Sequence, residues 1–109
     1  MKEKKQKPQK SEKFVFGKDL LELCQKNPRL AKALEYKGRR EILAMINEKP
    51  RFCEEIAEAR DVKPSGVYRH LSQIFGAGLI ESYQEDANQR NVLYRITPLG
   101  KEVLEKIVK

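Results

Sequence analysis

The sequence lacks long apolar runs, closely spaced cysteines and the sequence motifs of enzymes. No apolar run approaches the roughly 20 residues that cross a bilayer, so we predict no membrane span. The N-terminus has no apolar stretch of the signal-peptide type, and Cys24 and Cys53 lack metal-type spacing, which together favour a reducing, cytoplasmic setting. Without a phosphate loop, nucleophile elbow or zinc motif, we expect no enzyme activity, no metal and no cofactor.

The sequence is rich in charged residues and has a net positive charge. The 109 residues suffice for one domain with a modest core, and 36% of them are charged. The net charge of +7 favours a polyanionic partner, because basic side chains on a phosphate surface release counterions. The abundance of lysine and glutamate also suits a thermophilic source.

The basic residues are concentrated at the N-terminus. Residues 1–13 hold six lysines and two glutamates, whereas the remainder holds 17 basic and 14 acidic residues. We interpret residues 1–17 as a basic, disordered arm and residues 18–109 as the folded domain. The arm either lies along a polyanion or solubilises the protein, and we favour the second interpretation.

Apolar residues recur at helical spacing up to Phe75. A first stripe begins after Asp19 and ends at Asn27-Pro28, since the residue before proline avoids helical geometry. Further apolar stripes predict a short helical segment at residues 30–34, a longer helix from about residue 38, and a short helix over residues 54–60. Pro64 begins another helix, whose inward stripe is predicted to comprise Val67, Leu71, Ile74 and Phe75.

Beyond Gly78 the pattern changes from helical to alternating. Residues 79–83 and 92–96 are rich in apolar and aromatic side chains and flank the polar stretch 84–91, which predicts a hairpin. Thr97 and Pro98 then predict the N-cap and first residue of a final helix. The predicted fold is mostly α with a two-stranded β wing (α+β).

Two helices joined by a three-residue turn and followed by a hairpin form a winged helix-turn-helix. The stretch IAEARDVKPSGVYRHL at 56–71 resembles the helix-turn-helix of ArsR/MarR-type winged-helix regulators. The similarity extends to LAKAL at 30–34, GRREIL at 38–43, GLI at 78–80 and YRITPLG at 94–100. The resemblance places Ala57 where the two helices cross and Val62 as a plug in the turn.

Two residues depart from the family pattern. Arg60 stands where an apolar residue is usual, and Asp61 where glycine is usual. An arginine stem can lie over the edge of a core, and aspartate tolerates left-handed backbone geometry.

The resemblance implies a transcriptional regulator that binds specific double-stranded DNA as a homodimer. A helix at about residues 64–75 would enter the major groove, where its N-terminal side chains reach base edges, with the wing 84–91 on the flanking backbone or minor groove. An exposed glycine near a helix start costs helix stability, so Gly66 suggests close approach to DNA. The predicted DNA-contacting residues are Lys63, Ser65, Gly66, Tyr68, Arg69, Gln73, Arg90, Arg39 and Arg40. For Arg39 and Arg40, simple solvent exposure explains the sequence equally well.

The first and last helices carry more apolar surface than so small a core needs. The residues predicted to form a dimer interface are Leu20, Leu21, Leu23, Cys24, Val103, Leu104, Ile107 and Val108. The alternative is that the two helices pack on each other within one protomer.

The sequence also bears on two other function classes. Metal sensing of the ArsR type uses paired cysteines, but Phe52 and Glu54 occupy the matching positions and Cys53 lies between them, as a small core residue would. A protein- or RNA-interaction module is the main alternative to DNA binding, because the body is nearly balanced in charge and acidic residues such as Glu58 lie beside the motif.

Overall fold

The computed structural model describes residues 15–84 and 92–107. The predicted arm up to Phe14, the wing tip with Arg90, and Val108 therefore lie outside the described residues. The elements in chain order are α1 Lys18–Lys26, α2 Pro28–Leu34, α3 Lys37–Glu48, β1 Arg51–Phe52, α4 Cys53–Arg60, α5 Pro64–Gly76, β2 Ile80–Tyr83, β3 Leu93–Ile96 and α6 Pro98–Ile107. None of the described helices is long and apolar enough to cross a membrane.

Asn27 separates the first two helices, as predicted. Its backbone N–H donates to Leu23 O at the end of α1, and its side-chain oxygen accepts from Arg29 N at the start of α2. Pro28 occupies the first position of α2, where a missing N–H costs nothing. The Asn27 amide also donates to Ala77 O at 2.8 Å, which ties this junction to the end of α5.

The turn between α4 and α5 depends on Asp61. This residue has φ 56° and ψ 48°, the left-handed conformation that the sequence led us to expect. Val62 N then donates to Ala57 O, and α5 begins at Pro64. The prediction that Val62 plugs the turn is wrong: its side chain is about half exposed, and backbone hydrogen bonds to Glu58 O and Ala57 O close the turn.

The wing belongs to a three-stranded antiparallel sheet in the order β1-β3-β2. The predicted hairpin is confirmed, with Ile80 opposite Ile96 and Tyr83 opposite Leu93. The third strand, β1, was not predicted, because two residues are too few to show an alternating pattern.

The core lies between the helices and one face of the sheet. Its fully buried side chains include Leu30, Ile42, Leu43, Ile56, Leu79 and Val103. On α5 the predicted inward residues Val67, Leu71 and Ile74 are buried, but Phe75 is half exposed and its inward placement is wrong. One residue turns a helix by about 100°, so Phe75 lies on the flank that Ile74 leaves free.

Thr97 caps α6 as predicted. Its hydroxyl accepts from Gly100 N at 3.0 Å and donates to Gly78 O at 2.7 Å. Gly100 is required for close packing, because a Cβ there would overlap Leu79 O and lie 2.6 Å from Ile96 Cγ1. Gly78 has φ +80°, which favours glycine at the turn into β2.

Candidate nucleic-acid interface

The N-terminal half of α5 presents a polar face to solvent. Ser65, Gly66, Tyr68 and Arg69 are exposed, whereas Val67 on the opposite side is buried. The element thus offers an uncovered helix face at its first two turns. Lys63, the N-cap of α5, is also exposed, and Gln73 is half-buried.

Gly66 has no packing role. A Cβ built at this position would meet nothing within 4 Å, so the protomer itself does not require glycine here. Glycine destabilises a helix relative to alanine. The result is a flat, exposed surface in the first turn of α5.

Arg69 is an available cation. It is exposed, and it forms no ion pair among the residues that the structure describes. Its guanidinium is free to donate to an acceptor from outside the protomer.

Arg39 is not available, and its predicted contact with DNA is corrected. The residue is 7% exposed, and its guanidinium lies 4.3 Å from the ring centroid of Tyr36. It donates from Nε to His70 Nδ1 at 3.2 Å and from Nη1 to Lys32 O at 2.7 Å. Burial lowers the pKa of Arg39.

Arg40 is also engaged within the protomer. It is half-buried, and its Nη1 donates to Leu34 O at 2.6 Å. The last carbonyls of a helix lack partners within the helix, and cations near them are favoured by the helix dipole. Arg39 and Arg40 therefore fasten the C-terminal end of α2 to α3, a role that the sequence pattern did not suggest.

His70 lies on the side of α5 that faces α3. Because its Nδ1 accepts from Arg39, the neutral ring carries its proton on Nε2. Burial lowers the pKa of His70, and the positive charges of Arg39, Arg60 and Arg69 lower it further.

Arg60 joins the first helix of the motif to α3. It pairs with Glu41 at 2.7 Å, and this hydrogen bond is the main reason why the pKa of Glu41 is lowered. The Arg60 side chain is largely buried, which agrees with the expectation that its stem covers the edge of the core.

The described part of the wing carries one exposed arginine that sequence reasoning missed. Arg95 pairs with Glu81 across the hairpin at 2.6 Å and lies over the Tyr83 ring at 4.3 Å from the centroid. The register of the hairpin places residues 81 and 95 opposite each other, which only the pairing of the strands reveals.

A groove of about 380 Å³ opens beside the first turns of α4 and α5. The residues that line it include Cys53, Glu54, Ser65, Tyr68, Val92 and Tyr94. A smaller groove of about 160 Å³ shares Tyr68 and Tyr94 with it. The Cys53 thiol donates to Pro64 O at 3.5 Å, so it is occupied within the protomer. Across the described residues, no three metal-binding side chains cluster.

The predicted dimer residues divide into two groups. Leu20, Val103 and Leu104 are buried in the protomer's own core, which corrects the expectation that they offer free surface. α1 and α6 contact each other, so their buried sides cover one another. Leu21 remains 49% exposed, whereas Leu23, Cys24 and Ile107 are half-buried and pack against the core.

Comparisons with known proteins agree with this architecture. The model of the arsR family of bacterial regulatory proteins matches residues 37–82. No curated protein sequence matches significantly.

Solved structures with a similar fold are about as long as this chain or longer. HlyU from Vibrio cholerae is 24% identical with a TM-score of 0.64, over 78% of this chain and 87% of that one. The transcriptional regulator BldR from Sulfolobus solfataricus is 23% identical with a TM-score of 0.63, over 82% of this chain and 68% of that one. A ZitR mutant from Lactococcus lactis in complex with DNA is 24% identical with a TM-score of 0.60; the match covers 65% of this chain but only 49% of that one.

The family match spans the helix-turn-helix and the start of the wing, and the similarity in fold covers a larger share of the chain. The chain therefore has a winged helix-turn-helix fold, and within it residues 37–82 are similar to the arsR family of bacterial regulatory proteins.

Proposed function

We propose that this protein binds specific double-stranded DNA and regulates transcription without catalysis. The observation that carries the proposal is the uncovered face of α5, where Ser65, Gly66, Tyr68 and Arg69 are exposed in a helix that follows a tight turn. A major groove admits one helix with its N-terminal side chains toward the base edges. The DNA complex of the ZitR mutant, which shares the fold, supports the same class of ligand.

In the proposed complex α5 enters the major groove and the wing lies on the flanking backbone or minor groove. Arg69 donates either to a guanine edge or to a phosphate, and Tyr68 contacts a thymine methyl or a phosphate. Lys63 at the helix N-terminus and Gln73 one turn beyond Arg69 extend the contact. Arg90 of the wing tip is assigned to the flanking phosphates.

Selection of bound sequences from a random duplex pool is the direct test, with anisotropy titrations of the selected duplex to follow. Arg69→Ala is expected to weaken binding by about 1–3 kcal/mol. Lys101→Ala removes another exposed cation, on α6, and is the matched control, with unchanged affinity expected. Equal losses in both variants would contradict the assigned face. Tight binding to single-stranded RNA, with no binding to duplexes, would favour the interaction module instead.

The proposed assembly is a homodimer formed through α1 and α6. Leu21 is its centre, since a half-exposed leucine on α1 leaves apolar surface for a second copy. A twofold arrangement would place two recognition helices about 34 Å apart and would select a palindromic site.

The oligomeric state is measured by light scattering after size exclusion. Leu21→Glu places a charge in the proposed interface and is expected to give monomers. Val62→Glu alters another apolar side chain with nearly the same exposure, far from α1 along the chain, and is expected to leave the dimer intact. A wild-type monomer, or a dimer that persists with Leu21→Glu, would contradict this assembly.

A further inference from the structure

The groove between the start of α4, the start of α5 and β3 has the size of a small-molecule site. Its volume of about 380 Å³ falls within the range of ligand pockets, roughly 300–1,000 Å³. Its lining combines apolar surface with a few polar groups, as ligand pockets do.

Tyr94 is the feature of this groove that calls for a ligand. The residue is 9% exposed, and its hydroxyl has no hydrogen-bond partner among the described residues. Because Tyr94 lines the groove, a ligand or water in the groove can supply the partner that its hydroxyl lacks. Burial and then the neighbouring Tyr68, Cys53 and Glu54 raise the pKa of Tyr94, so the hydroxyl keeps its proton and remains a donor.

The charge of the groove indicates the kind of ligand. Glu54 is its one charged side chain among the lining residues that the structure describes, although the protein as a whole carries +7. A phosphate in this groove would meet a carboxylate and no described cation. A cation would instead meet the Glu54 carboxylate and the rings of Tyr68 and Tyr94, since aromatic rings attract cations.

We propose that this groove binds a small organic cation with an aromatic body. The ammonium group of the ligand pairs with the Glu54 carboxylate and lies against a tyrosine ring. The aromatic body of the ligand contacts Val92, and an acceptor atom on the ligand accepts a hydrogen bond from the Tyr94 hydroxyl. Because Ser65 and Tyr68 line the groove and also belong to the proposed DNA face, ligand and duplex are expected to compete; this last step rests on the proposed function.

The site is tested without DNA, so that its failure is separate from a failure of duplex binding. The full chain is titrated at low salt with tyramine, whose ammonium group, ring and phenol oxygen supply the cation, the aromatic body and the acceptor, and binding is followed by amide NMR shifts. We expect saturable shifts at Glu54, Ser65 and Tyr68. Benzoate, with the opposite charge, should give none, and tetramethylammonium, without the ring, should bind more weakly. Benzoate binding as well as the cation would overturn the proposal.

Two variants localise the contact. Glu54→Gln is expected to weaken cation binding by about fivefold or more, while Glu58→Gln, an exposed carboxylate of the same helix outside the groove, leaves it unchanged. Equal affinities of these variants would overturn the assignment to this groove, and NMR spectra of each variant report whether the fold is retained. Displacement of a selected duplex by the cation then tests competition, and binding without displacement would overturn that step alone.

Discussion

Arg39 of α3 donates a hydrogen bond of 3.2 Å from Nε to Nδ1 of His70 on α5. The same guanidinium donates to Lys32 O of α2, so one buried cation joins three helices at the flank of the exposed face of α5. The orientation of that face therefore depends on a contact at the side of its helix.

Arg39→Met is expected to destabilise the fold by about 1–3 kcal/mol, because it leaves Lys32 O and His70 Nδ1 without their donor. Urea denaturation measures the change in the free energy of unfolding. Lys101→Met, which alters an exposed cation, should change it little. Similar losses in both variants would contradict the structural role of Arg39.

Stability should fall as the pH drops below about 6.5. The pKa of His70 is lowered in the folded state by burial and by its arginine neighbours, so the unfolded chain binds the proton more readily. The stabilisation of the fold by neutral His70 is complete at pH values above the pKa of His70 in the unfolded chain. It is lost as the pH falls toward the pKa of His70 in the folded protein, at up to about 1.4 kcal/mol per pH unit.

Urea denaturation between about pH 7.5 and about pH 5.5 isolates this effect, since His70 is the single histidine of the chain. The carboxyl of Glu41, whose pKa is lowered by its hydrogen bond from Arg60, stays ionised in this window. In His70→Asn the amide oxygen accepts in place of Nδ1 without titrating, and we expect a flat profile. A slope equal to that of the wild type would refute the assignment.

Gly66→Ala should raise stability and lower DNA affinity. The gain is about 0.5–1 kcal/mol, because alanine favours the helix and its Cβ has open space. The loss of affinity follows if DNA approaches the bare backbone. Gly17→Ala adds a methyl group at another open glycine, far from α5 in sequence, and should leave duplex binding unchanged. Unchanged affinity for Gly66→Ala would remove this residue from the interface.

Gly100→Ala should have the opposite effect on stability. The added Cβ overlaps Leu79 O and crowds Ile96, so α6 must shift away from the wing. We expect a loss of about 1–3 kcal/mol in thermal or urea unfolding. A neutral result would mean that α6 moves freely on the sheet, contrary to the packing described above.

The chain's local patterns predicted most of the fold. Asn27-Pro28 marked a helix boundary, Asp61 a left-handed turn and Thr97-Pro98 a helix start, and each is present in the structure. These features depend on the conformational preferences of one residue and its immediate neighbours. They can therefore be predicted from the sequence without knowledge of distant contacts.

The candidate interface was predictable only in part. The helical period identified the exposed face of α5 correctly, because a stripe of buried residues leaves its opposite side free. The same reasoning misplaced Phe75 at the edge of that stripe, where the shape of the neighbouring elements decides burial. It also could not find the groove beside Tyr94, which arises where α4, α5 and β3 meet.

By itself, the order of apolar, turn and capping residues determined the class of fold and the helix that faces solvent. Only the tertiary structure decided that Arg39 and Arg40 serve the protomer, that α1 and α6 bury part of each other, and that Arg51 and Phe52 add a third strand. The physical reason is that a charged side chain binds whichever carbonyl or ring is brought within its reach, and that neighbour comes from a different element.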